Sequence, residues 1–360
     1  MIEDVEHVRV AREPLAQFVE AVLRGAGADA AGAAAVARAV MEASARGVDT
    51  HGVRLLPHYV KTVAGGRINR AARPTFHPVG TAGGQVDGDN GFGHLASYRA
   101  IEEGVRIARD AAVAAIGVRN SSHHGATGCY TLAAARQGFC ALGMTHADAI
   151  VVPHRGTRPF FGTNPLSFAV PVPDAEPSVI DMASSAVPFN RVALWGANGV
   201  ALPADIAVDD TGAPTREAAR TKALLPVGGP DYGYKGTCLA MLIDLLCAGL
   251  TGMRFGAQLP SFGGPDYATP IPIGHFFVIF NPALFAPDGH FATTARDLIA
   301  ALRAQPARGA APVLAPGDPE LHETSERRRR GIPVDRATWR EFGDLARQYA
   351  SALPAPLNAP

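Results

Sequence analysis

Apolar positions recur at helical spacing over residues 11–24 and again over 28–46, and Gly25-Ala26-Gly27 stands between the two runs, so the pattern predicts a helical hairpin. A third run keeps the same period at Val53, Leu56, Tyr59, Val60 and Val63. The polar pair Asp49-Thr50 ahead of it reads as an N-cap and predicts a helix over 51–64, closed by Gly65-Gly66. Residues 1–66 therefore read as wholly helical. From Pro74 the period falls towards two, and Thr75, His77 and Val79 followed by Gln85, Val86 and Asp87 predict a hairpin. A loop over 89–93 leads into a helix at 94–112.

The middle of the chain alternates. A buried strand at 113–118, a polar loop at 119–128 and a helix at 130–137 are followed by strands at 141–145, 167–170 and 179–182. Residues 191–223, rich in Gly, Asp and Pro, read as a long surface excursion. The apolar stretch 238–250, interrupted by Asp244, reads as a buried helix with a glycine-rich lead-in from Gly233. A short strand at 276–280 and amphipathic helices at 291–304 and 335–352 complete the pattern, which contains no internal repeat. Strands interleaved with helices make this an α/β chain.

Length and charge narrow the classes. A chain of 360 residues buries a sizeable core as two domains or one elaborated domain. Basic and acidic residues balance at 33 each, so neither nucleic acid nor an anionic membrane surface is an expected partner. The one basic run, 327–330, follows Glu323 and Glu326 and reads as a solvated helix face. The charged N-terminus lacks the apolar core of a secretory signal, no run is long enough to span a bilayer, and Cys129, Cys140, Cys238 and Cys247 form no CxxC pair. A cytoplasmic protein with four reduced core cysteines is the expectation.

Several places carry chemistry. His51, at the predicted helix start, is a side chain that exchanges protons near neutrality beside amides that favour an anion. The loop Asn120-Ser121-Ser122-His123-His124-Gly125 joins a strand to a helix, where α/β proteins place ligand groups. One of its two histidines, His123 or His124, is expected to face a site and the other to pack or be solvated. Gly162-Thr163-Asn164-Pro165 and Ile180-Asp181-Met182-Ala183-Ser184-Ser185 flank strands with small and hydroxyl residues that admit a phosphate. Lys235 is one of only three lysines and opens a helix inside Gly233-Tyr234-Lys235-Gly236. No HExxH, HxH or CxxC occurs, so no metal is expected. The GxGxxG fingerprint is absent after the first strand, and with it the Rossmann mechanism of phosphate binding. The P-loop, α/β-hydrolase and kinase signatures are missing as well.

Taken in order, GVDTHGVRLLPHY, the Gly65-Gly66 helix end, GVRNSSHHG, GTNPLSFAVP, VIDMASS, LLPVGG with GYKG, and APGDPE with ERRRRGIP resemble the malate/L-lactate dehydrogenase family that lacks a Rossmann domain. Its members include ureidoglycolate, sulfolactate and diketogulonate oxidoreductases and piperideine-2-carboxylate reductases. The resemblance covers nearly the whole chain. It implies a non-Rossmann, mixed-sheet cofactor-binding domain (73–299) and a helical domain built from both chain ends (1–72 packed with 300–360). It implies NAD or NADP as cofactor, a homodimer, and a small carboxylate substrate held where cofactor and substrate regions meet.

Carried over position by position, the resemblance makes His51 the acid/base that protonates the carbonyl oxygen or imine nitrogen and places His123 beside substrate and nicotinamide. Thr50, Arg54 and Thr163 fall towards the substrate. His146, Ala147, Asp181, Met182, Ala183, Ser184, Lys235, Pro316, Gly317 and Asp318 fall along the cofactor, with Ser184, Ser185 and Arg191 as candidates for a ribose 2′-phosphate. The chain departs from the family at Leu55, where relatives carry arginine: Arg54 stands one position earlier, about 100° away on a helix. His124 and His146 also replace an aromatic and a polar amide. The function implied is hydride transfer between nicotinamide and a 2-oxo/2-hydroxy acid, with reduction of a cyclic 2-imino acid as the alternative. A metal-dependent hydrolase or lyase built on the histidines is a more distant reading.

Overall fold

The structure, a computed structural model, describes residues 7–357 apart from Asn198. The charged residues 1–6, on which the expectation of no secretory signal partly rests, and residues 358–360 lie outside the described part. In chain order the elements are β1 (His7–Val10), α1 (Arg12–Gly25), α2 (Ala30–Ala45), α3 (Leu56–Ala64), β2 (Thr75–Val79), β3 (Gly83–Asp87), α4 (Gly93–Ala111), β4 (Val113–Ser121), α5 (Gly128–Ala135), β5 (Cys140–Thr145), β6 (Leu166–Val170) and β7 (Ser178–Met182). There follow α6 (Phe189–Ala197), β8 (Ala207–Val208), β9 (Ala223–Leu224), α7 (Gly229–Tyr232), α8 (Tyr234–Asp244), β10 (Ile273–Phe280), α9 (Pro282–Phe285), α10 (His290–Arg303), α11 (Asp318–Arg330), β11 (Ile332–Asp335) and α12 (Arg336–Gln348).

Seven strands form one mixed sheet in the order β2-β3-β4-β10-β5-β6-β7. Only β3 and β4 run parallel, and every other neighbouring pair is antiparallel. A doubly wound dinucleotide fold has parallel strands about a switch point, so this is a different α/β architecture. α4 and α5 cover the sheet, with Ile101, Val105 and Tyr130 packed on Ile116, Val118, Phe277 and Ile279.

A second core joins residues from both ends of the chain. Leu15, Phe18, Val22, Leu56 and Val60 pack with Ile332, Val334, Phe342 and Leu345. β1 pairs antiparallel with β11, and the Phe18 and Phe342 rings lie 5.5 Å apart. β11 escapes a periodicity reading because it is four residues long and contains Pro333.

Four expectations need correction. Residues 1–66 are not wholly helical, because His7–Val10 form β1, a strand held by a partner, β11, from the far end of the chain. The helix predicted over 51–64 begins only at Leu56, after two short 3₁₀ turns, Asp49–His51 and Val53–Leu55. Gly52 between them is extended, and a Cβ there would come within 2.2 Å of Ser44 Oγ, which accepts from the Val53 amide. Asp49-Thr50 caps nothing, so His51 does not stand at the mouth of an α-helix. Residues 191–223 are not a bare excursion as composition suggests: Val192, Leu202, Ile206 and Ala207 pack into one core with Val151, Phe161, Leu224 and Ala240. The helix at 238–250 buries Ala240, Ile243 and Cys247 but exposes Cys238, Met241, Leu242, Leu245 and Leu250, and it ends in a π-turn over Leu245–Gly249. Cys238 is therefore not a core residue. Among the described residues no helix is long and apolar enough to cross a membrane.

Candidate active site

His51 closes the first 3₁₀ turn, and His123 lies just past the end of β4. The fold lays their rings nearly parallel, 18° apart in plane, with centroids separated by 5.9 Å. Each ring is held through Nδ1. Thr50 Oγ1 lies 3.1 Å from His51 Nδ1, and the Tyr59 hydroxyl lies 3.0 Å from His123 Nδ1, with the Gly125 amide donating to the same nitrogen at 3.4 Å. Two donors at Nδ1 place the proton of neutral His123 on Nε2. Burial lowers His51 to about 4 and holds His123 well below the ordinary imidazole value, with the neighbouring histidines adding to the effect on His123. Both are neutral near pH 7 and lie side by side.

The turn that carries His51 is anchored from far along the chain. Arg327 on α11 grips Asp49 with both terminal nitrogens, one of them at 2.9 Å. It also pairs with Glu323 at 2.7 Å and donates to the Ser44 carbonyl at 2.7 Å. Only 8% of Arg327 is exposed, so the first arginine of the basic run is an internal strut rather than part of a solvated face.

Beside His123 lies a narrow cavity whose lining includes His58, Tyr59, Arg67, Phe92, Phe262, Ile271 and Ile273. Phe262 stacks on His58 at 3.9 Å and tilts against His123 at 4.5 Å. Its amide donates to Asp148, two residues past His146. Nothing in the local sequence around 262 announces this contact, which is a long-range packing event.

The predicted cofactor residues gather into two connected groups. Asp181 lies exposed at the end of β7, accepts the Gly128 amide at 2.8 Å, and is raised to about 6 by the surrounding protein and by Glu320. It shares a cleft with Val179, Ile180, Leu314, Pro316, Gly317 and Glu320, and Ser178 Oγ donates to the Pro316 carbonyl at 3.0 Å. Asp318 is turned aside into a bidentate pair with Arg303. In the second group Ser184 donates through both its amide and its hydroxyl to the Thr163 carbonyl at 2.9 Å. The Val227 amide donates to the Ser184 carbonyl, and Gly236, next to Lys235, packs so tightly there that a Cβ would come within 2.7 Å of that carbonyl. The Ala147 amide is held by Asn164 Oδ1. The segment through Met182 and Ala183 joins the two groups, and beyond it Asn190 donates to the Thr50 carbonyl at 3.0 Å, so one stretch of chain runs from the cleft to the His51 turn.

Exposed Ile180 and Leu314 give the cleft apolar walls, and Asp181 gives it a carboxylate. Lys235, outside the cleft lining, is exposed as well.

Other predicted residues are otherwise engaged. Arg54 Nε pairs with Asp335 at 3.1 Å, in the helical core region. Both ring nitrogens of buried His146 meet backbone, Nε2 at the Arg254 carbonyl and Nδ1 at Gly274, so its side chain has no nitrogen to spare. The hydroxyls of Ser184 and Ser185 are used internally, which leaves Arg191 among the three candidates for a 2′-phosphate. His124 packs, with its ring stacked on His275 at 4.1 Å. Among the described residues no group of three or more His, Cys, Asp and Glu side chains converges as metal ligands.

Similarity to known proteins defines the class, an NAD(P)-dependent oxidoreductase. The chain belongs to the malate/L-lactate dehydrogenase family, whose model matches residues 10–343. It is similar to the ureidoglycolate dehydrogenase (NAD(+)) of Escherichia coli, 32% identical over 314 residues that cover 86% of this chain and 88% of that one. It is also similar to the Δ1-pyrroline-2-carboxylate/Δ1-piperideine-2-carboxylate reductase of Pseudomonas putida, 34% identical over 299 residues, covering 82% and 86%. The malate dehydrogenase of Entamoeba histolytica superposes with a TM-score of 0.92 at 26% identity, over 97% of this chain and all of that structure.

Proposed function

We propose that this dehydrogenase transfers a hydride between NAD or NADP and a small 2-oxo/2-hydroxy acid, with His51 exchanging the proton. The observation that carries the reading is the His51–His123 pair, each ring fixed through Nδ1 and both neutral. When bound, the dinucleotide supplies or takes up a hydride. Asp181, Met182, Ala183, Lys235, Pro316 and Gly317 would hold it, with the backbone of Ala147 and Ser184 shaping the path to Thr50. His51, fixed through Nδ1 by Thr50, presents Nε2 to the substrate oxygen: neutral, it accepts the proton of a hydroxy acid, and protonated, it returns it. His123, with its proton on Nε2, donates a hydrogen bond to the same oxygen. Fixed donors of this kind require no reorganisation as charge develops, and a positioned acid/base contributes about 10²–10⁴-fold.

The same two histidines suit a cyclic 2-imino acid, with nitrogen in place of oxygen as the protonated atom, and the similarity to the Pseudomonas putida reductase favours keeping that substrate in the assay. We further propose a cytoplasmic homodimer. The exposed residues Tyr234, Met241, Leu242 and Leu245 fall on one face of α8 and its continuation, which suits packing against a second copy. The domain division proposed is a helical unit of 1–72 with 300–360 and a cofactor-binding unit of 73–299.

The test is fluorescence titration with NADH and NADPH separately, then turnover with pyruvate, oxaloacetate and piperideine-2-carboxylate. Binding of one dinucleotide with turnover of one acid is expected. Failure of both dinucleotides to bind would overturn the reading.

A further inference from the structure

A carboxylate substrate in a cavity walled largely by aromatic and aliphatic side chains needs a fixed cation, and Arg54, the nearest arginine in sequence to His51, is taken by Asp335 at 3.1 Å. Arg67 is the one permanently charged side chain that lines the cavity beside His123. It is 4% exposed, and its Nε is buried without a hydrogen-bond partner. One terminal nitrogen donates to the Phe262 carbonyl at 3.1 Å and the other to the Asp266 carbonyl. A guanidinium has five N–H groups, so three are left over, and the two loop carbonyls fix the plane of the fork. The rest of the wall, which includes His58, Phe92, Phe262, Ile271 and Ile273, carries no charged side chain at neutral pH, burial holding His58 at about 4 and His123 well below the ordinary imidazole value.

We propose that Arg67 is the anchor for the substrate carboxylate and thereby sets the chain's preference for small, unbranched 2-oxo or 2-imino acids over their neutral analogues. The inference rests on the function proposed above. Phe262 tilts against His123 at 4.5 Å and stacks on His58 at 3.9 Å, so these touching rings form a wall beside Arg67 that limits the width of what reaches it. The sequence hides this role: Arg67 stands just after the Gly65-Gly66 helix end, and its backbone amide is pinned to the Tyr267 carbonyl at 3.0 Å, a contact across 200 residues of chain.

The experiment compares wild type, Arg67→Met and Arg67→Lys on the best acid substrate and on its carboxamide, for example pyruvate against pyruvamide, with the dinucleotide Kd measured alongside. Wild type prefers the acid. Arg67→Met loses about 10²-fold or more in kcat/KM for the acid, chiefly through KM, and little for the amide, since removing one partner of a buried charge pair acts only where the charge is present. Arg67→Lys recovers part of the preference, and all three proteins bind dinucleotide alike. Discrimination unchanged in both variants, with turnover intact, would overturn the assignment of Arg67 while leaving the dehydrogenase reading in place. Loss of dinucleotide binding by both variants would make Arg67 a structural residue and overturn the anchor equally. Wild type inert with every acid and both dinucleotides would overturn the underlying function and this inference with it.

Discussion

Replacing Arg327 with methionine should unfasten the turn that holds His51 and weaken the fold at the same time. Arg327 is 8% exposed and supports three partners: the Asp49 carboxylate through two nitrogens, Glu323 at 2.7 Å and the Ser44 carbonyl at 2.7 Å. Breaking a buried pair from one side costs about 3–5 kcal/mol. Here the side chains of Asp49 and Glu323 are 37% and 36% exposed and rehydrate once released, which places the cost near the lower end, about 3 kcal/mol. Methionine fills most of the volume, so no large cavity adds to it. Asp49→Asn leaves Arg327 paired with Glu323 and should cost less, about 1–2 kcal/mol. Urea unfolding monitored by circular dichroism gives both numbers, and kcat measured in the absence of urea should fall in Arg327→Met because Thr50 and His51 lie within the freed turn. A double-mutant cycle should return a coupling of about 0.5–3 kcal/mol. An Arg327→Met protein within about 0.5 kcal/mol of wild type, or a coupling of zero, would show that the strut carries no load.

The other expected outcomes are these. In the oxidation direction His51 must be neutral, so kcat/KM should stay level from pH 7 downward and decline only as the pH nears its value of about 4, while the reductive rate should rise over the same interval; a decline centred near 6.5 would mean that His51 is not buried in the working enzyme. Tyr59→Phe removes the hydroxyl that fixes His123 Nδ1 and should lower kcat about tenfold or more with the dinucleotide Kd unchanged; an unaltered kcat would remove His123 from the mechanism. His124 and His275 are buried, stacked and held well below the ordinary imidazole value, so their contribution to stability is present above about pH 6.5 and is lost as the pH falls below it, at about 1.4 kcal/mol per pH unit for each. Urea midpoints at pH 7.5 and 5.5 should show this loss, and His275→Gln should flatten it; parallel slopes would contradict the account. Gly128→Ala would bring a Cβ within 2.8 Å of Asp181 Oδ2 and should weaken dinucleotide binding without unfolding the protein; an unchanged Kd would take Asp181 out of the cofactor site.

What could be read in the sequence was local. His51 was legible as an imidazole in a polar turn and the His123-His124 pair as a loop after a buried strand, the choice of His123 coming from the family resemblance alone, and the helical hairpin and the main strands followed from periods of 3.6 and 2. What could not be read depended on distant parts of the chain. The start of α3 was misplaced because Ser44, on the previous helix, claims the Val53 amide that a cap would have taken. Arg327 passed for a surface charge because its partner Asp49 lies 278 residues away. Arg54 seemed free to meet a substrate until β11 supplied Asp335. Asp244 was legible only as an interruption of an apolar run, yet it is buried and raised to about 6 by that burial. Met241, Leu242 and Leu245 illustrate a different limit, since hydrophobicity alone does not distinguish a core position from an exposed one.

The link between Asp49 and Arg327 also sets a schedule. At about 5–20 residues per second of synthesis, the 278 residues that separate them take on the order of tens of seconds to emerge. Throughout that interval α1 and α2 exist without Phe342 and Leu345 to cover them, and the His51 turn has nothing to brace it. A ribosome-bound chain that already contains every residue proposed to touch dinucleotide or proton still lacks a working arrangement of them. The His51 turn is therefore braced only once α11 has emerged.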